Sequence, residues 1–144
     1  MAAFDFRRMI VVAGISCGIT VAAWLVGSWE YDRGRVGYLF DIKTVPWSVS
    51  NARCRTGALT DVVLACAFTV APADFPDLLN GETFSSVEPQ YRHADDLAFA
   101  EGLGRNFVPA YHFVAKPKDS PNGGSLDVLA DAGKTNVVAF LYIE

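Results

Sequence analysis

Residues Met9 to Trp29, MIVVAGISCGITVAAWLVGSW, run for twenty-one positions without an Asp, Glu, Lys, Arg or His. Coiled as an α-helix at ~1.5 Å per residue, such a run is about 31 Å long, which matches a hydrocarbon core about 30 Å thick. It predicts one transmembrane helix over 9–29. The chain then divides into a short segment 1–8, the span, and a single domain over 30–144 confined to one side of a membrane.

Orientation follows from the flanks. Arg7 and Arg8 precede the run with only Asp5 opposing them, whereas Glu30, Asp32, Arg33 and Arg35 mix both signs beyond it. Cations beside a span are retained in the cytoplasm, so residues 1–8 are expected inside and 30–144 outside, in the periplasm or extracellular space, with the chain in the inner (plasma) membrane. Trp24, Trp29 and Tyr31 gather toward the outer end, where amphipathic rings favour the headgroup layer; Phe4 and Phe6 can do the same at the inner end. A cleavable signal peptide is the competing assignment, with Arg7 and Arg8 as its basic region and Val21-Ala22-Ala23 as a small-residue cleavage site. Against cleavage, apolar sequence continues through Trp24, Leu25, Val26 and Gly27. Acylation at Cys17 fits poorly, because Gly14 stands where a large aliphatic residue is expected. Each assignment leaves the domain outside the cytoplasm.

Within the span Gly14, Gly18 and Ala22 recur every fourth residue along one side of a helix. Small residues let helix backbones approach closely in lipid, where packing rather than hydrophobicity drives association. The row predicts a helix-packing face toward other membrane protein subunits; the alternative is that it faces the lipid bilayer.

Setting aside Arg7, Arg8 and Asp5, the domain holds ten Lys and Arg against fifteen Asp and Glu. A domain near −5 with no basic run is a poor nucleic-acid ligand, and none is expected as partner. Cys54 and Cys66 are the two cysteines beyond the span. An even pair in an oxidising compartment predicts a Cys54–Cys66 disulfide. C-x₁₁-C is no zinc spacing, and only His93 and His112 stand by to help, so no metal or other cofactor is expected.

The domain reads as α+β: a small, mainly antiparallel sheet of three to five strands with helices packed on one face. Gly34 and Gly37 are expected to interrupt helix between Glu30 and Phe40, leaving a turn beside the membrane. Asp41–Ala58 reads as an irregular excursion or a short edge strand. Leu59–Ala71 and Val137–Ile143 are apolar on both faces at period two and should be inner strands. Pro72–Gly81 predicts a turn or two of helix capped by Asp74, followed by loop to Gln90. Tyr91–Gly104 should be the principal helix, with Asp95 and Asp96 near its positive end. Phe107–Lys116 is strand-like, with Pro109 at an edge or bulge. Pro117–Ser125 is a turn-rich loop, and Leu126–Ala132 reads as a short helix stopped by Gly133.

The densest ionisable cluster is Arg92, His93, Asp95 and Asp96, with Glu101 nearby. His93 oriented by an aspartate would be a general base or ligand. The same residues also suit a solvated helix start. GxSxG, HExxH, P-loop, dinucleotide and CxxC signatures are all missing from the sequence, so no catalytic residue is assigned. The sequence accordingly predicts a non-catalytic, single-pass accessory subunit of a larger membrane protein complex. A membrane-tethered binding or inhibitory (immunity-type) module is the alternative, and a small enzyme using His93 is third.

Overall fold

The computed structural model describes residues 30–57, 62–92, 94–102, 104–118 and 123–143. The expected span over 9–29, with Gly14, Gly18 and Ala22, lies outside the described residues, as does His93. Among the described residues no helix is long and apolar enough to cross a membrane.

Six antiparallel strands form one sheet: β1 (Ser50–Arg55), β2 (Val62–Thr69), β3 (Phe84–Val87), β4 (Tyr111–Ala115), β5 (Gly124–Ala130) and β6 (Asn136–Ile143). Their spatial order is β1-β2-β6-β5-β4-β3. β3 to β6 form a continuous meander, and the β1–β2 hairpin joins it through β2–β6 pairing. The two strands expected to be inner are inner, and for the expected reason. Leu64, Cys66 and Phe68 of β2 face one layer while Ala65 and Ala67 face the other; in β6 Val137, Ala139 and Leu141 oppose Val138, Phe140 and Tyr142.

Helices cover both faces of this sheet, where one covered face was expected. Residues 30–39 form helix α1, which sends Val36, Leu39 and the following Phe40 into the first layer. Helix α2 (Phe75–Leu78), continued by a 3₁₀ turn over Leu79–Gly81, adds Phe75 and Leu78 to that layer as the chain crosses from β2 to the far edge. Helix α3 (Ala94–Gly102) covers the opposite layer with Phe99 and Ala100. One edge-to-face pair ties each layer to the sheet: Phe40 with Phe68 at 6.0 Å, and Phe99 with Phe140 at 6.5 Å. Burying a phenyl ring contributes roughly 1.5–3 kcal/mol, so these rings are principal fasteners.

Several local expectations are corrected. The glycines of α1 do not break it: Val36, Leu39 and Phe40 repay the loss of helix propensity, which is about 1 kcal/mol per glycine. Leu126–Ala130 is strand, because β4 and β6 offer it ladders on both sides. Phe84–Val87, read as loop, pairs with β4 as an edge strand. Asp74 makes no side-chain cap; its carboxylate accepts the Ser48 hydroxyl at 2.6 Å, tying the loop before β1 to α2. Gly81 is required sterically, since a Cβ there would lie 1.8 Å from the carbonyl oxygen of Phe40.

Cys54 and Cys66 face each other in the β1–β2 register and are joined by a disulfide, as expected. β1 is an edge, and two of its carbonyls are covered: Arg35 donates to Cys54 O and Arg105 to Asn51 O, each at 3.2 Å. Covered carbonyls make an edge a poor template for a further strand. The β5–β6 turn is held by Asp131, whose carboxylate accepts the Thr135 N–H at 2.8 Å and the Asn136 side chain at 2.7 Å.

Reducing the Cys54–Cys66 bond is expected to remove roughly 2–3 kcal/mol of stability, read as a lower denaturation midpoint with reductant than without. A pH effect is expected at Asp131. Burial pushes its carboxyl up, but bonds from the Asn136 side chain and from the backbone at Thr135, Asn136 and Gly133 outweigh this and hold it below its ordinary 3.8. A depressed folded pKa stabilises above the ordinary value and is lost as pH falls through it. The stability gap between the native chain and Asp131→Ala should therefore narrow between about pH 5 and about pH 2, followed by denaturant titration.

Candidate functional site

The α3 face of the sheet carries the densest polar cluster in the described domain, and it is built around Asp127 rather than His93. Alternation along β5 puts Ser125, Asp127 and Leu129 on the layer that α3 covers. Val114 of β4 stands opposite Asp127 and His112 opposite Leu129, so His112 approaches Asp127 on the diagonal. The His112 Nε2 lies 2.9 Å from Asp127 Oδ1, and its Nδ1 lies 3.3 Å from the carbonyl oxygen of Glu88. The Ser125 hydroxyl donates to Asp127 Oδ2 at 2.8 Å, and the Arg92 guanidinium reaches both Ser125 Oγ and, at 3.5 Å, Asp127 Oδ2. Asp127 and His112 are buried, Ser125 is half-buried and Arg92 is exposed.

β6 draws in two of the residues singled out in the sequence. The Tyr142 hydroxyl donates to Asp96 Oδ1 at 2.6 Å, and the Arg92 guanidinium lies 5.0 Å from the Tyr142 ring centroid. Burial, the bond to Asp96 and the charges of Asp96 and Asp127 push the Tyr142 phenol far above its ordinary range, so it stays protonated and donates. Burial, with Glu101 and Asp96, also raises Tyr91, whose hydroxyl donates to Phe107 O at 3.3 Å. Of the expected cluster, then, Arg92 and Asp96 meet through Tyr142. His93 and the side chain of Asp95 lie outside the described residues. No sequence spacing marks Asp127, His112, Ser125 and Tyr142 as one group. The signal available was a lone carboxylate inside GSLDVLA, which points inward once the segment is read at period two instead of as helix.

Serine, histidine and aspartate are present, but the Ser125 hydroxyl bonds the Asp127 carboxylate and not the His112 imidazole, so the three are not arranged as a serine–histidine–aspartate relay. Both imidazole nitrogens face acceptors within the protein, which leaves neither presented to a substrate. Among the described residues no three His, Cys, Asp or Glu side chains gather as a metal site. What the arrangement does is fasten α3 and the segment before it onto β4, β5 and β6.

A second fastening lies at the other end of α3. The N–H of Arg105 reaches Ala100 O at 3.0 Å and that of Gly104 reaches Glu101 O at 2.8 Å, with Gly104 at φ +78°, the Schellman pattern of helix termination. Arg55 of β1 donates to Gly102 O at 3.1 Å. Burial and the neighbouring charge of Arg53 lower the Arg105 pKa. Near the end of α1 a cleft of about 320 Å³ is bounded by Tyr38, Ile42, Val45, Lys118 and Ile143. Lys118 is engaged there, with its ammonium on Gly81 O and 3.3 Å from Asp41.

No protein-family model, curated protein or solved structure matches this chain.

Asp127→Ala is expected to cost about 3 kcal/mol or more, because it leaves His112 and Arg92 without their shared carboxylate. Replacing His112 and Asp127 together by Phe and Leu should recover much of that loss. Denaturant midpoints of the single and double variants check both outcomes.

Proposed function

We propose that this chain is a single-pass, membrane-anchored accessory subunit of a larger membrane protein complex, non-catalytic, with residues 1–8 in the cytoplasm and the domain over 30–144 outside it. The observation that carries this proposal is a juxtaposition: the apolar run Met9–Trp29, with its Gly14-Gly18-Ala22 row, ends directly before the first helix of a disulfide-bonded domain. A disulfide is consistent with an oxidising, extracytoplasmic compartment. The small-residue row gives the anchor a face for other helices. The buried His112, Asp127, Asp96 and Tyr142 side chains bond groups within the domain, which supports a scaffolding or binding role in preference to chemistry on a substrate.

A tethered binding or inhibitory module is the second proposal, favoured by the domain's net charge near −5, which suits a basic partner. The two part on which half of the chain assembles. Full-length protein purified from native membranes in mild detergent should retain integral membrane partners that a chain of residues 30–144 does not, with partners identified by mass spectrometry. Gly18→Ile should release those partners and reduce the size of the detergent-solubilised assembly. Capture of a soluble partner by residues 30–144 alone would favour the tethered module.

A further inference from the structure

We infer that Trp47 and Tyr31 form a docking surface that seats the domain on the outer headgroup layer of the bilayer crossed by its own anchor; the inference rests on the span proposed at Met9–Trp29. Both rings stand in water, Trp47 at 85% exposure and Tyr31 at 67%. Each is backed by a cation. The Arg33 guanidinium lies 4.7 Å from the Trp47 ring centroid, and that of Arg35 lies 5.5 Å from the Tyr31 ring centroid.

The two cations are themselves fixed. Arg33, only 8% exposed, donates to Val45 O at 2.8 Å and to Pro46 O at 3.1 Å. Arg35 donates to Cys54 O at 3.2 Å and lies 3.8 Å from the Asp32 carboxylate. Bonds from Arg33 of α1 to the loop before β1 thus bring the Trp47 ring onto that guanidinium and leave the indole exposed on a buried cation. A fully hydrated indole is unfavourable, and a ring with an apolar body and a polar N–H is most at ease at a membrane–water interface.

Height selects the occupant. Glu30 follows Trp29 directly, and at ~1.5 Å per residue Tyr31 and Arg33 lie about 3 and 6 Å beyond Trp29 along a helix axis. The headgroup region on each side of the hydrocarbon core is about 5–8 Å deep, so an anchor that ends at Trp29 puts both within it. Tyr38 is also exposed, but it stands seven residues beyond Tyr31, about 10.5 Å further along the axis, and belongs to the water side. The sequence marks Tyr31 as interfacial from its neighbourhood to the span; only the fold brings Trp47 onto the guanidinium of Arg33, two residues along.

The test uses full-length W24F/W29F, in which Trp47 is the remaining tryptophan, reconstituted in phosphatidylcholine–phosphatidylglycerol vesicles. Trp47 emission is expected to be quenched several-fold more by lipid carrying a headgroup spin label than by lipid labelled at the chain end, and to be shielded from acrylamide. The same chain carrying W47F and Tyr38→Trp should show the reverse, acrylamide access without headgroup quenching. Emission from Trp47 that stays open to acrylamide overturns the docking surface, and shielding without headgroup quenching overturns it in favour of a protein contact. An alkaline carbonate wash separates the two levels: protein retained on the vesicles with Trp47 in water refutes docking alone, whereas protein stripped from the vesicles refutes the anchor and the docking with it.

Discussion

A strand that is apolar on both faces has no stable place at a surface, and β6 imposes that condition on the domain. Val137, Ala139 and Leu141 need one cover, and Val138, Phe140 and Tyr142 need another. With only small helices available, the chain supplies α1 and α2 for the first face and α3 for the second. The pairing order follows as well. β6 takes β5 on one side and β2, the other doubly apolar strand, on the other, so the most hydrophobic ladders lie innermost and the polar strands β1 and β3 fall to the edges. Interior strands lose no backbone hydrogen bond to the solvent boundary, which is where a mostly apolar segment benefits most.

Arginine is the second organising element. Arg33, Arg35, Arg55 and Arg105 each donate to a carbonyl of a different segment, and Arg92 joins a serine and a carboxylate on β5. A planar guanidinium with five N–H groups can bond and stack at once, which lysine cannot. These residues link α1 to β1, β1 to the end of α3, and the start of α3 to β5. Much of the positive charge in an acidic domain is therefore spent on holding segments together, and the absence of a basic run in the sequence has a structural counterpart.

The parts of this fold legible in the sequence are those where one local pattern dominates. β2 and β6 announce themselves by apolar residues at both parities, and the disulfide by two cysteines in a domain expected outside the cytoplasm. The segments whose local pattern misleads are those decided by distant partners. Gly34 and Gly37 suggest a break, yet Gly34 faces open space and Gly37 lets Val45 approach, so α1 continues. Leu126, Leu129 and Ala130 have helical spacing, but two neighbouring ladders override it. Phe-Ser-Ser-Val at 84–87 is too short and polar to declare itself, and becomes a strand only because β4 offers an edge. For the same reason the polar network was half visible: Arg92 and Asp96 are close in sequence, whereas His112, Asp127 and Tyr142 are brought to them only by strand register.

The position of β6 also dictates when the domain can form during synthesis. It is the last of the described strands along the chain yet occupies an interior position, so β1–β2 and the β3–β4–β5 meander share no ladder until residues 136–143 arrive. Until then neither the β2–β6 ladder nor the β5–β6 ladder can be made. The eight-residue β6 is thus the segment that turns two separate sets of ladders into one sheet, so loss of its pairing divides the domain instead of trimming an edge.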